Sequence, residues 1–204
     1  MRGNLRNVPG CQTALRAGIH LRVIPPSRLS AGVALFLFGV VSYTSAAIRT
    51  WSGGGESARW SDSLNWKEGM PLSGDNLIFP ADAAKRTSVC DLGSPFFSVS
   101  FSGDHVVTGQ PLTVRLLQHS GPRESSLLLS NLVVIRPNGL MQVGHGRVEL
   151  AKGLIVSNDI ARLFVTNELT INGAMEGAGG WTLSGGGRIN LSHANLLVGP
   201  TVVE

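Results

Sequence analysis

The sequence predicts an all-β protein, and three observations support this prediction. Short apolar runs recur along most of the chain, glycine clusters separate them, and glycine accounts for 26 of the 204 residues, nearly twice the usual ~7%. Glycine is favoured at tight turns because it reaches positive φ without steric cost. Runs this short and this regularly spaced are typical of a chain that makes one short strand, turns and makes another. The stretch 175–203 shows the pattern most clearly.

The first 47 residues have the composition of a secretory signal peptide. They contain five arginines and no acidic residue, and an apolar core spans positions 31–41. Small residues follow, and either Thr44-Ser-Ala46 or Ser45-Ala-Ala47 suits a signal peptidase. The apolar core is shorter than the ~20 residues that cross a bilayer. We therefore expect export, with contact to a membrane only through this leader. An uncleaved anchor over residues 30–48 is the alternative.

The net charge of +4 comes from the leader. All 13 Asp and Glu lie after it, together with 12 of the 17 Lys and Arg. A nucleic-acid-binding domain carries a basic patch on its folded part, and the sequence after the leader shows no basic stripe. We therefore expect no nucleic-acid partner.

Cys90 is the single cysteine after the leader, so we expect no intrachain disulfide. The residue sits in a strand-like run next to Asp91, whose charge would raise the pKa of a thiol. This setting favours a buried structural cysteine over a catalytic one.

Residues 48–86 differ from the rest in composition, and we expect them to form an N-terminal cap. Three of the four tryptophans fall close together in this segment, at Trp51, Trp60 and Trp66. Glycine and proline around them favour tight packing into a capping core. The alternative is a carbohydrate platform, because flat aromatic rings stack on sugar faces. These three tryptophans are therefore the candidate glycan contacts.

Residues 87–204 consist of serial strand candidates, and no convincing helical pattern appears after the leader. The alternation of Phe97, Val99 and Phe101 with serines predicts a strand with two distinct faces. Asn138-Gly139 and Asn172-Gly173 are turn dipeptides. The predicted strands are Ser88–Leu92, Phe96–Ser102, His105–Val107, Leu112–Leu117, Leu127–Leu129, Leu132–Ile135, Leu140–Val143, Arg147–Leu150, Leu154–Val156, Leu163–Val165, Leu169–Ile171, Trp181–Leu183, Arg188–Leu191 and Leu196–Val198.

Two all-β architectures fit these strands: a parallel β-solenoid and an antiparallel β-sandwich. The shortness of most strands and their mostly aliphatic side chains favour the solenoid. Asparagines recur at turns, where stacked amides can bond between coils; they are Asn131, Asn158, Asn167, Asn172, Asn190 and Asn195. The last residues show no cap, so we expect an open coil edge that self-associates. A fragment or non-functional remnant of a longer protein is a further alternative.

Residues 177–203 resemble the autotransporter-associated β-strand repeat. The residues that match the repeat are Gly177, Gly179, Gly180, Gly185, Gly187, Leu191, Ser192, Ala194, Asn195, Gly199 and Thr201. The departures are Trp181, Arg188, His193 and Leu196. The block from Trp51 through Trp60, Asn65-Trp66 and Gly74-Asp75 to Phe79 is similar to the segment after the signal peptide in many large exported bacterial proteins with these repeats. The resemblance implies a right-handed parallel β-helix acting at the cell surface, with no shared catalytic residue.

Polar residues that could form a metal site or an active site lack the required spacing. Asp62, Asp75, Asn76 and Asp82 fit Asx-turns better than a calcium site. His105, His119, His145 and His193 lack zinc-like spacing. Glu149, Asp159, Glu168 and Glu176 are evenly dispersed, and they would not stack in one line as a glycosidase pair if a coil is longer than their spacing.

We therefore expect an exported cell-surface or extracellular structural or adhesive β-repeat protein, without catalytic activity and without a cofactor. The alternative is a carbohydrate-binding or polysaccharide-degrading β-helix module. The expected partners are a surface polysaccharide or a second copy of the chain.

Overall fold

The computed structural model describes residues 46–157 and 159–204, so the predicted leader and Asn158 lie outside the described residues. The described chain is a β-solenoid of about 6 turns. Its one short helix in this range is a 3-10 turn, Ser63–Asn65. The strands are β1 (Ile48–Thr50), β2 (Asn76–Phe79), β3 (Thr87–Cys90), β4 (Phe96–Phe101), β5 (His105–Gly109), β6 (Leu112–His119), β7 (Ser126–Leu129), β8 (Val133–Val143), β9 (Arg147–Leu150), β10 (Leu154–Val156), β11 (Ala161–Val165), β12 (Glu168–Ile171), β13 (Met175–Gly177), β14 (Trp181–Ser184), β15 (Arg188–Leu191), β16 (Leu196–Leu197) and β17 (Thr201–Val203).

The strands form two parallel sheets, and successive coils add to both. One sheet has 11 strands, in the order β1-β2-β4-β6-β8-β10-β13-β16, with β11, β14 and β17 continuing from β8 along a second path. The other has six strands, in the order β15-β12-β9-β7-β5-β3. Parallel pairing of strands that are distant in sequence is the solenoid arrangement, so the predicted β-helix is confirmed and the antiparallel sandwich does not hold.

The register of the sheets sets the length of a coil. Leu112, Val133, Leu154 and Met175 follow one another as ladder partners, so they hold equivalent places in successive coils of equal length. The spacing varies along a second ladder, where Val99 pairs with Leu117, Leu117 with Met141 and Met141 with Leu163, so the coils differ in length by a few residues on that side. Because side chains alternate between the two faces of a strand, a shift of one residue would turn the apolar set outward. The apolar periodicity therefore determines the coil length.

The interior is a set of stacked apolar columns. One column in the large sheet consists of Leu77, Val99, Leu117, Met141, Leu163, Leu183 and Val203. Its first five members are at most 1% exposed, whereas Val203, at the end of the column, is 77% exposed. Each buried aliphatic side chain contributes about 1.5–3 kcal/mol relative to an exposed one. Stacking of coils is therefore the main source of stability.

Two details differ from the sequence-based predictions. The dipeptide Asn138-Gly139 is predicted to be a turn, but it lies inside β8, where Asn138 has a φ of 54°. One edge of β8 pairs with β6, while its two halves pair separately with β10 and β11, so β8 bends without ending. Strands β13 and β17 are absent from the predicted strands of residues 87–204, and β1 and β2 lie in the cap segment, for which no strand bounds were predicted. Strands β13 and β17 are short, and Met175 is the one large apolar residue of β13.

The asparagines bond between coils, as expected, but their partners are not other asparagines. The side-chain nitrogen of Asn131 donates to the carbonyl oxygen of Gln110 at 3.0 Å, and that of Asn172 donates to a carboxylate oxygen of Glu149 at 2.7 Å. Asn167 donates to the carbonyl oxygen of His145, and Asn190 lies in β15 and donates to Glu168. Asn195 lies in the turn before β16.

Candidate functional surfaces of the solenoid

The tryptophan cluster fills the first end of the solenoid. Trp51 and Trp60 are fully buried, and Trp66 is 4% exposed. The ring of Trp51 stacks on Phe79 with centroids 5.5 Å apart, and Trp60 lies 5.2 Å from the same phenylalanine. Burying three indole rings against a core strand contributes several kcal/mol to the end of a coil stack. The cluster is thus placed where a cap is needed.

The three indole N–H groups are also satisfied inside the protein. Trp51 donates to the carbonyl oxygen of Lys85 at 2.7 Å, Trp60 to the hydroxyl of Ser88 at 3.0 Å, and Trp66 to the carbonyl oxygen of Trp60 at 2.8 Å. Stacking on a sugar needs an open ring face, and these buried rings present none. The placement of the candidate glycan contacts Trp51, Trp60 and Trp66 therefore favours the capping interpretation.

Residues of the cap segment also form hydrogen bonds with backbone groups at the outer edges of β1 and β3. The N–H of Thr50 in β1 donates to the carboxylate of Glu68 at 2.6 Å, and the carbonyl oxygen of Thr50 accepts from Lys67 at 2.9 Å. In β3, the N–H of Val89 donates to the carbonyl oxygen of Ala58, and the carbonyl oxygen of Val89 accepts from the N–H of Trp60. An edge bonded in this way cannot template another strand.

The residues considered for calcium are separately engaged. Asp62 caps the 3-10 turn by accepting from the N–H of Leu64 at 3.1 Å, and it also accepts from the hydroxyl of Ser57. That hydroxyl bond is the main cause that lowers the pKa of Asp62. The side-chain oxygen of Asn76 accepts from Ser98, and Asp82 is exposed. Within residues 46–157 and 159–204, no group of three or more His, Cys, Asp or Glu could hold a metal ion.

Asp75 is the most densely bonded carboxylate near the cap. Its Oδ1 accepts from the backbone N–H of Ala47 at 3.0 Å. Its Oδ2 accepts from Nε of Arg49 at 2.9 Å and from the N–H of Leu72 at 3.0 Å. Burial opposes ionisation of this side chain, but the three donors outweigh it and hold the pKa of Asp75 below its usual value. Sequence reasoning assigns Asp75 only a turn role, because its partners lie up to 28 residues away.

Two of the four histidines that follow the leader lie in the interior. His105 is 2% exposed and His119 is 1% exposed. Nε2 of His105 lies 3.1 Å from the carbonyl oxygen of Pro80. Burial lowers the pKa of both imidazoles, because it disfavours the charged form. His145 and His193 are exposed, so the four residues do not meet at one site.

The carboxylates of the coil region do not form a pair across a groove. Glu149 in β9 has Thr170 as its ladder partner, whereas Glu168 in β12 lies between Arg147 and Arg188. Glu168 accepts from Asn190 at 2.9 Å and lies 3.5 Å from Nε of Arg147. Asp159 and Glu176 are both exposed. The expectation that these residues would not stack in one line holds for Glu149 and Glu168.

Cys90 is fully buried, and burial raises the pKa of its thiol to about 12. A thiol with so high a pKa is not a nucleophile at neutral pH. The side chain belongs to the buried hydrophobic core.

The last coil exposes an open edge. Among the described residues, β15 pairs only with β12, β16 only with β13 and β17 only with β14. Apolar residues are exposed on these strands and beside them, and they are Leu191, Leu196, Val198, Val202 and Val203. Unpaired strand edges next to exposed apolar side chains are a template for further pairing. This surface, β15 to β17, is called the open edge below.

A shallow groove crosses the outer face of β8, β11 and β14, and the sequence did not reveal it. Two adjoining depressions of about 430 and 460 Å³ share Leu140, Arg162 and Thr182. The ring of Phe164 is 37% exposed and lies in the ladder between Gln142 and Ser184. The ladder register brings these side chains together, because Leu140 pairs with Arg162 and Arg162 pairs with Thr182. The spacing of these residues differs from coil to coil, so the sequence pattern does not specify the groove.

Comparison of the chain with protein-family models, with curated protein sequences and with solved structures finds no match. No described helix has the length and apolar character needed to span a membrane.

Proposed function

We propose that this protein is an exported structural or adhesive element of a cell surface, without catalytic activity, and that its open edge is its association surface. The observation that supports this most directly is the contrast between the two ends of the solenoid. The first end is closed by buried tryptophans and bonded strand edges. The other end presents three singly paired strands and exposed valines and leucines.

This contrast restricts how two copies can join. A head-to-tail contact needs an open first end, and there the cap already bonds the edges of β1 and β3. An edge-to-edge contact between two open edges uses the same patch on both copies, which is a closed two-fold arrangement. The association we propose is therefore a dimer rather than a fibre.

Export is tested by expressing the full-length chain in a bacterium with an intact secretion pathway and locating it by cell fractionation. We expect the protein outside the cytoplasm and shortened by removal of the leader. Full-length protein confined to the cytoplasm would contradict the proposal. Replacing Leu35 and Leu37 by Arg interrupts the apolar core, and this variant is expected to remain inside the cell.

Carbohydrate binding is a second candidate, and the outer groove is the observation that favours it. Phe164 offers a partly open ring beside the amide of Gln142 and the hydroxyls of Thr182 and Ser184. Arg162, in the same groove, forms no salt bridge with a described residue. Glu204 also lines one of the two depressions, so the groove holds one cation and one carboxylate. The aromatic ring beside polar groups suits stacking on a sugar, and Arg162 can bind a carboxylate on that sugar.

The groove is tested with polygalacturonic acid in native affinity electrophoresis. We expect Phe164→Ser to abolish the retardation of the protein. Phe97→Ser is the matched control, because Phe97 is also an exposed outer-face phenylalanine but lies under Arg115, outside the groove. Equal retardation of the wild type and both variants would refute the proposal that the groove binds carbohydrate.

A further inference from the structure

The start of the described chain is held by one buried carboxylate. The backbone nitrogen of Ala47 lies 3.0 Å from Oδ1 of Asp75, a residue that is only 5% exposed. Arg49 and Leu72 both donate to the other oxygen, Oδ2. Within the described part of the chain, Ala47 is the one hydrogen-bond donor to Oδ1. The hydrogen bond from Ala47 to Asp75 therefore fixes the position of the chain where it enters the first coil.

The two candidate cleavage sites of the leader differ in what they do to this contact. Cleavage after Ala46 leaves Ala47 in the folded product. Its carbonyl oxygen then still accepts from the N–H of Asn76 at 2.7 Å, next to the pairing of β1 with β2. Cleavage after Ala47 removes both the donor to Asp75 and the acceptor for Asn76. The sequence alone left these alternatives open, because both have small residues at the required positions.

We propose that a signal peptidase cuts between Ala46 and Ala47, and that Asp75 binds the new α-amino group of Ala47. The proposal rests on the export proposed above. Hydrolysis adds one water to the 46–47 peptide bond, so the carboxylate leaves with the leader and an ammonium group remains on Ala47. A charged donor replaces a neutral N–H at the same carboxylate oxygen, and charge-assisted hydrogen bonds are roughly twice as strong as neutral ones.

The surroundings of Ala47 can accept this new charge. A depression of about 240 Å³ is lined by Ala46, Ala47, Arg49, Leu72, Ser73, Gly74 and Asp75. The proposed cut removes Ala46 from this lining, which leaves space for the ammonium protons that Asp75 does not accept. Arg49 is the one cation in this lining, and it bonds the other oxygen of the carboxylate. A carboxylate has enough lone pairs to accept from two cations, one on each oxygen.

The cleavage site is tested by the intact mass of the product that a bacterium exports from the full-length precursor. We expect the mass of residues 47–204. A product that begins at Ile48 or at any other residue would overturn the inference while leaving export intact. An uncleaved protein in the cytoplasm would overturn the proposed function as well.

Two matched precursor variants separate the sites further. A large residue is not accepted at the third position before the cut, where small residues are required. Thr44→Phe should therefore block cleavage after Ala46 and give a product that starts at Ile48, with a lower urea midpoint than the wild-type product. Ser45→Phe blocks only the alternative site, so its product should still start at Ala47. The opposite pattern of masses would overturn the assignment.

The amine contact is tested by labelling the exported product with an amine-reactive reagent at pH 7. A neighbouring carboxylate favours the ammonium form, and each unit gained in the pKa of the amine lowers the reactive free base about tenfold. We expect the α-amino group to be labelled more slowly in the wild type than in Asp75→Asn. Exposed Lys67 is the internal reference. Equal relative rates in two folded products would overturn the role of Asp75.

Discussion

Nε2 of His119 lies 3.1 Å from the carbonyl oxygen of Gly103, in the turn of the preceding coil. The imidazole continues an interior column that begins with Phe79 and Phe101, whose rings are stacked 4.6 Å apart. A histidine thus takes the place of a third aromatic ring in the core. Its Nδ1 has no hydrogen-bond partner among the described residues, so no acceptor there would stabilise a second ring proton, and burial disfavours the charged ring.

The protein should therefore lose stability as the pH falls below about 6.5. Burial lowers the pKa of His105 and His119 in the folded state, so the unfolded chain binds protons first. The stabilising effect is complete above the unfolded pKa of about 6.5, and each histidine removes up to ~1.4 kcal/mol per pH unit below it. Urea unfolding between pH 8 and pH 5 measures this slope.

A matched pair of variants identifies the source of the slope. His119→Phe should reduce the slope by about half, because a phenyl ring fits the aromatic column and does not titrate, while His105 still contributes. His145→Gln changes an exposed histidine and should leave the slope unchanged. If both variants keep the wild-type slope, the buried imidazole is not responsible. Below about pH 4 a separate loss is expected, because the pKa of Asp62, Asp75 and Asp91 is lowered in the fold.

Gly146→Ala should destabilise the protein by about 1–3 kcal/mol, the usual cost of overpacking. A Cβ at Gly146 would lie 2.1 Å from Cε1 of His119 and 2.5 Å from the hydroxyl oxygen of Ser125. Gly186→Ala is the control, since a Cβ there meets nothing within 4 Å. Thermal unfolding of the two variants should differ clearly. Similar melting temperatures would argue against the packing around His119.

Consecutive positions in β10 test the register of the solenoid. Leu154 is fully buried, whereas Ile155 points outward and is half-buried. Leu154→Ala should cost about 2–5 kcal/mol, the range for truncating a buried leucine, and Ile155→Ala should cost less than half as much. Urea midpoints with unchanged m-values measure the difference. A larger loss at Ile155 would mean that the strand faces the other way.

Val203 in β17 tests the open edge, with an exposed residue of a distant strand as the control. Val203 ends an interior column after Leu183, and Val202 follows Thr182 on the outer face. We expect sedimentation to show a concentration-dependent dimer for the wild type. Val203→Lys should shift it to a monomer, because a charge would enter the apolar contact between the copies. Phe97→Lys, on the exposed face of β4 and away from the open edge, should retain the dimer. A wild-type monomer at all concentrations would contradict edge-to-edge association.

Much of the fold was predictable, because a narrow coil needs aliphatic residues at alternate positions. The runs at Leu154–Val156 and Leu169–Ile171 satisfy this need and are strands in the structure. The equal spacing from Leu112 through Val133 to Leu154 is also present in the sequence. Thr201–Val203 was missed because it follows Gly-Pro and contains only two apolar residues.

The details of the candidate sites were less predictable, because they depend on contacts between coils. Burial of the tryptophans followed from composition. The partner of Trp60, however, is Ser88, 28 residues away, and no local pattern specifies it. The contact of Asp75 with Ala47 and the Phe164 groove likewise exist only once the coil length is set. A single histidine such as His119 has no periodic pattern that would place it in a core.

The parallel ladders also determine how the protein responds to force. Each coil contacts mainly the coils before and after it, so resistance to pulling is a sum of neighbouring contributions. Tension on the C terminus would act first on β15 to β17, which are held on one side only. The chain should then lengthen one coil at a time, in steps that differ with the length of each coil. The coil that contains the tryptophan cluster would unfold last under such tension.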